Sequence, residues 1–145
     1  MPVTKLPDVH HGDHDGGSTV NCNTLPWLPL APKIWIRLVK LQPETGVHTV
    51  IIRAEPGGVL PPHRHIEAAE IYVLKGTGDH PQTGHFTEGD FVSESKGAVH
   101  DPLVFTVETE MLMTSQGPSV FLDEQGNDLY RMDVPMLQGL AQSVA

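Results

Sequence analysis

His63 and His65 stand one residue apart behind Pro61-Pro62, and His100 follows Gly97-Ala98-Val99 much later in the chain. Imidazole is the most frequent metal ligand among side chains, and two of them at i and i+2 of an extended segment project from the same face. A β-barrel, in which the chain folds back across its own sheet, is the architecture that lets a distant third histidine join them. The three residues therefore point to a divalent metal centre inside a β structure. Gly57, Gly76, Gly89 and Gly97 punctuate the two segments, as tight turns between strands require.

The surrounding sequence supplies those strands. Ile34–Leu41 and His48–Ala54 flank the turn Gln42–Gly46 and read as a hairpin, and Glu70–Lys75 is rich in β-branched and aromatic residues. Further strands are expected at about 85–87, 91–94, 103–108, 110–115, 119–122 and 129–133, separated by Gly, Pro and Asn turns. With no helical period before residue 134, the pattern is all-β, a sandwich or a barrel. Three parts are expected: an N-terminal arm over residues 1–26, a β-barrel over 27–133, and a tail over 134–145 that can form a short helix despite Gly139. His10, His11 and His14 lie in the Gly- and Asp-rich arm, where a solvated tract is expected, since ordering glycine-rich chain around a metal is entropically costly.

Composition excludes several classes. A chain of 145 residues with 39% hydrophobic content is one domain with room for its own core. A net charge of −9, with only 9 Lys plus Arg scattered singly, argues against a nucleic-acid partner. There is no apolar run long enough to span a membrane, and the lone Cys22 and the absence of a signal-peptide core fit a cytoplasmic protein.

Gly57-x5-His63-x-His65 running to Gly76, and Gly89-x5-Ser95-x-Gly97-x2-His100, resemble the two motifs of the cupins, with Ser95 where the second motif usually has proline. The resemblance covers roughly residues 34–122 and implies a jelly-roll β-barrel that holds a divalent metal on two His, a Glu and a third His. The usual glutamate lies seven residues before the closing glycine, which here is Ala69. Glu70, one place later, should face the other way by alternation, leaving His63, His65 and His100 as ligands. Only a bulge at Ala68-Ala69 would turn Glu70 inward as a fourth ligand.

Gly97-Ala98-Val99-His100, Val107-Glu108, Met113-Thr114, Gly117-Pro118 and Phe121–Asn127, with Pro43-Glu44-Thr45, are similar to the acetylacetone dioxygenase branch, and in plan to the 2,4'-dihydroxyacetophenone dioxygenases. That resemblance implies Fe(II) on three histidines, with O2 and a small-molecule β-diketone or hydroxyketone as substrates. It also implies that Glu94 is an acid beside the metal that orients an imidazole or takes a proton. The substrate pocket is expected from Leu60, Tyr72, Leu103, Met111, Met113 and Ser115. Pro81, Leu103, Met111 and Ser115 depart from the Arg, Thr and Phe residues of the branch, so a different molecule is expected there. Two other classes fit the same ligands: a zinc-binding sensor or ligand-binding domain, and a zinc or nickel hydrolase or isomerase. As isolated, the site can carry Zn or Ni in place of Fe, following metal affinity trends. His48 reads as a strand-face residue, His80 and His85 as exposed flanks of a turn. Apolar segments 27–30 and 34–36 suggest a homodimer or homotetramer.

Overall fold

Alternation at a period of two decides which side of each strand is buried. In the strand Ile34–Leu41, Ile34, Ile36 and Leu38 are buried, and Trp35, Arg37 and Val39 lie half-buried on the opposite face. The computed structural model describes the backbone of residues 9–11 and all of residues 17–143. In chain order the strands are β1 Val9–His11, β2 Ser18–Val20, β3 Leu28–Ala31, β4 Ile34–Leu41, β5 His48–Ala54, β6 Val59–Leu60, β7 His63–His65 and β8 Ala69–Lys75. They continue with β9 Thr77–His80, β10 Gly84–Thr87, β11 Phe91–Glu94, β12 Val99–His100, β13 Leu103–Val104, β14 Thr109–Ser115, β15 Ser119–Leu122 and β16 Asp128–Met132. One helix, α1 Val134–Ser143, closes the described chain.

Two antiparallel sheets carry the jelly roll. One has six strands in the order β11-β8-β14-β5-β4-β3, the other four in the order β12-β7-β15-β16. Short two-stranded ladders, β13 with β6 and β10 with β9, connect around them. Non-consecutive neighbours in both sheets are the mark of Greek-key connections. Ile36, Val50, Ile52, Ala69, Ile71, Val73, Met111 and Met113 from the larger sheet and Phe121 from the smaller one form a single buried cluster. From α1, Val134 and Leu137 join that cluster, and the Asp133 Oδ1 accepts the Met136 N–H at 3.0 Å where the helix begins.

Within the arm expected over residues 1–26, β1 and β2 pair antiparallel and a 3-10 turn spans Cys22–Thr24. The expectation for His10, His11 and His14 as a solvated tract concerns side chains outside the described residues. Trp27 sits over the Arg37 guanidinium at 4.1 Å and Arg37 Nε donates to the Leu25 carbonyl at 2.9 Å, which pins this segment to the sheet. The strand expected over 103–108 stops at Val104, because Phe105 instead exchanges backbone hydrogen bonds with Gly57 and Gly58. No helix among the described residues is long and apolar enough to cross a membrane.

Gly76 closes β8 at a φ of +95°, and a Cβ there would lie 2.6 Å from the Glu108 carbonyl oxygen. Both the left-handed backbone and the contact exclude a side chain. Gly126 has a φ of +82° but open space around it. Gly76→Ala is therefore expected to cost about 2–4 kcal/mol, and Gly126→Ala only about 1 kcal/mol, in denaturant unfolding at unchanged m-value. Equal losses would show that the Glu108 contact relaxes freely.

Candidate metal centre

β7 lies between β12 and β15, so its two inward residues have partners on both sides. His63 is paired in register with His100 on β12 and with Phe121 on β15, and His65 is paired with Ser119. The ring centroids of His63, His65 and His100 stand 5.0, 5.1 and 5.0 Å apart, close to an equilateral triangle. All three are buried. The outer nitrogens are anchored: His63 Nδ1 lies 3.0 Å from the Pro61 carbonyl and His65 Nδ1 lies 3.2 Å from Ser119 Oγ. A ring that gives its Nδ1 proton to an oxygen keeps a lone pair on Nε2, the form a metal requires.

The carboxylate comes from the other sheet. β11 runs beside β8 with Glu94 directly opposite Ala69, and no register shift interrupts that pairing. The bulge considered for Ala68-Ala69 is absent, Ala69 is fully buried, and Glu70 is exposed on the outer face. Glu70 as a fourth ligand is thus corrected by the same alternation that places Ile71 and Val73 inside. Glu94 and Ala69 are paired neighbours and both are buried. Its Oε1 is 3.3 Å from His65 Nε2, and its Oε2 is 2.7 Å from His100 Nε2 and 3.3 Å from His80 Nε2.

His63, His65, Glu94 and His100 each bring one donor atom to within 4.8 Å of the others. His65 Nε2 and both ring nitrogens of His100 are buried without an aligned hydrogen bond, although Nε2 of each ring stands close to a Glu94 oxygen. Orphaned imidazole nitrogens converging beside a buried carboxylate fit a divalent cation, whose lone-pair ligands satisfy what hydrogen bonds here do not. Burial pushes the Glu94 carboxyl up, but the close imidazoles of His100, His65 and His80 outweigh it and hold the group below the usual carboxylate range. Desolvation pushes His63 down to about 4, so this imidazole is neutral at pH 7.

A cavity of about 40 Å³ opens beside the cluster, room for roughly three water molecules. Leu60, Leu103, Met111 and Met113 line it, with Phe121, Ile52, Ile71 and Phe86, and none of its described lining residues is Lys or Arg. Two expected lining residues do not. Tyr72 is 48% exposed on the outer face, two places along β8 from Glu70. Ser115 is buried at the far end of β14 opposite His48, and both Ser115 Oγ and His48 Nε2 lack hydrogen-bond partners. His48, read as a face residue, is 1% exposed. His85 is exposed with its Nδ1 2.9 Å from Asp79 Oδ1, whereas His80 is buried against Glu94 and lines the cavity. The turn signals around His80 gave no sign of that.

A jelly roll with three buried imidazoles and a carboxylate between its sheets defines a metal-site cupin. The chain belongs to the ChrR cupin-like domain family, whose model matches residues 15–120. An acetylacetone-cleaving enzyme of Acinetobacter johnsonii is 30% identical over 95 residues, 62% of this chain and 62% of that protein, so the match spans less than two thirds of the relative. The crystal structure of an acetylacetone dioxygenase from Acinetobacter johnsonii is similar with a TM-score of 0.76 at 24% identity, covering 82% of this chain and 87% of that one. The structure of Rhodobacter sphaeroides SigE in complex with the anti-sigma ChrR is similar over 63% of this chain and 50% of that one, with a TM-score of 0.56 at 18% identity.

Two measurements follow from this geometry. His65→Ala and His100→Ala are each expected to weaken divalent-metal affinity by at least about 100-fold, while Glu70→Gln leaves it within about twofold, by titration calorimetry. A comparable loss in Glu70→Gln would mean that β8 presents the other face. For the metal-free protein, burial lowers His63 and His48 below 6.5 in the folded state alone, so the unfolded chain binds more protons as pH falls below 6.5. Unfolding free energy is therefore expected to fall from pH 6.5 towards 4, and a flat profile would contradict neutral burial of both rings.

Proposed function

We propose that this chain is a non-haem Fe(II) dioxygenase that cleaves a C–C bond of a neutral β-diketone or hydroxyketone with O2. The observation that carries the reading is the largely apolar cavity, without Lys or Arg among its described lining residues, that reaches His63, His65 and the ionised Glu94 of the four-donor cluster. Its likeness to acetylacetone-cleaving cupins supports the class of substrate. His63, His65 and His100 would hold the metal through Nε2. Bound there, Fe(II) supplies Lewis-acid polarisation of the substrate oxygens and the redox chemistry that O2 needs.

The remaining work belongs to the protein. Leu60, Leu103, Met111, Met113 and Phe121 exclude water and accept alkyl or aryl substituents, and the methionines adapt to their shape. Glu94, kept ionised, accepts at a carboxylate oxygen the proton that the diketone loses from the carbon between its carbonyls. With no Lys or Arg among the described residues lining the cavity, a substrate carrying its own carboxylate finds no cationic partner among them. Cytoplasmic location and a homodimeric or homotetrameric assembly complete the proposal.

One observation favours a second reading, a non-catalytic metal-binding sensor domain. Four buried protein donors can close a structural zinc site, and the fold is shared with the SigE–ChrR structure.

Oxygen uptake separates the two. Metal-free protein loaded anaerobically with Fe(II) is expected to consume O2 with neutral β-diketones or aryl hydroxyketones and to release two carboxylic or carbonyl fragments. Diketones bearing a carboxylate should react at least about tenfold more slowly, and Glu94→Gln should lower kcat by about 100-fold or more. Absence of uptake across the panel, by protein shown to retain iron, would leave the sensor reading.

A further inference from the structure

We propose that His80 is the positioning residue of this centre: a neutral imidazole, locked in one tautomer by its own hairpin turn, that fixes the orientation of the Glu94 carboxylate. His80 ends β9, and the chain reverses through Pro81-Gln82-Thr83 into β10. Its Nδ1 accepts the backbone N–H groups of both Gln82 and Thr83 at 3.1 Å. An Nδ1 that accepts carries no proton, so the single ring proton resides on Nε2, and Nε2 faces Glu94 Oε2 at 3.3 Å. The ring is buried and stands edge-on to His100, with centroids 4.7 Å apart at 88°.

The hairpin that locks the ring is itself tied to the ligand-bearing segment. Gln82 Nε2 donates to Asp101 Oδ2 at 2.8 Å, and the Asp101 backbone N–H donates to Gln82 Oε1 at 3.1 Å. Asp101 directly follows His100, so this two-bonded clamp fixes the turn against the strand that carries a ligand.

The chemistry of the donors makes His80 different from the other imidazoles that meet Glu94. An imidazole that ligates through Nε2 has no proton there, so His65 and His100 cannot donate to Glu94 once a cation is held. Of the three rings in contact with Glu94, His80 alone keeps an N–H for it. That proton sets which carboxylate oxygen is turned towards the metal and which is held away. The inference rests on the metal-centre reading of the site and requires neither iron nor turnover.

Two near-isosteric variants isolate the effect. Asn at position 80 offers an acceptor near the turn amides but does not reach Glu94; Gln reaches Glu94 with an N–H. With Co(II) as the probe, His80→Asn is expected to bind about tenfold or more weakly and to change the visible absorption of the bound ion, while the metal-free fold melts close to the parent protein. His80→Gln is expected to restore affinity to within about threefold, with the parent absorption. Parent-like affinity and absorption in His80→Asn would overturn the proposal, and so would equal damage in both variants, since packing alone would then account for the residue. Failure of the parent protein to bind Co(II) would overturn the metal-centre reading, and this inference with it.

Discussion

An ionised carboxylate buried between two apolar sheets governs this structure. Left without partners, Glu94 would protonate or pull its strand apart, because the transfer of a charge from water into a protein interior costs several kcal/mol or more. Imidazoles from two elements of one sheet and from a hairpin turn meet it instead. Strand pairing and the β9–β10 turn bring those rings to one point beside the cavity. The same convergence that makes the carboxylate tolerable leaves several imidazole nitrogens without hydrogen-bond partners of their own. An assembly of this kind is satisfied by a cation more fully than by the protein alone.

Part of this was legible in the sequence, because the β period is simple. His-x-His gives two inward rings, and the same counting separates Ala69 from Glu70 and predicts which of the two is buried. Applied consistently, it would also have placed Tyr72 outside, since residues 70, 72 and 74 share a face. Alternation gives the face of a strand but not the depth along it. Ser115 shares the inward face of Met111 and Met113, yet it lies one step too far from the cavity mouth, opposite His48. His80 was illegible for another reason. Its turn signals describe the backbone, whereas its burial depends on β11 and β12 arriving from later in the chain. The expectation that Glu94 stands beside the metal came from family likeness, and the geometry buries it next to the imidazoles with an alanine as its paired neighbour.

The cavity and the donor set speak to different questions. Three imidazoles and a carboxylate say that a divalent ion can be held, which serves enzymes and sensors alike. The apolar walls say what else can approach that ion. A sensor needs no adjoining space for an organic molecule, and a cavity next to the ligand atoms is what turns the weight towards a substrate. The methionines on β14 give that space a deformable wall, so its resting volume is a lower bound on what it admits.

The register of β8 with β11 has one more consequence. Position 69 and position 94 face each other across a ladder and point into the same space, so a carboxylate can reach the centre from either strand. The coordination chemistry of such a barrel can therefore be rewritten by two side-chain exchanges with no strand shifted and no loop rebuilt. The backbone acts as a fixed socket, and the charge beside the imidazoles is set by which of two facing pegs is a carboxylate.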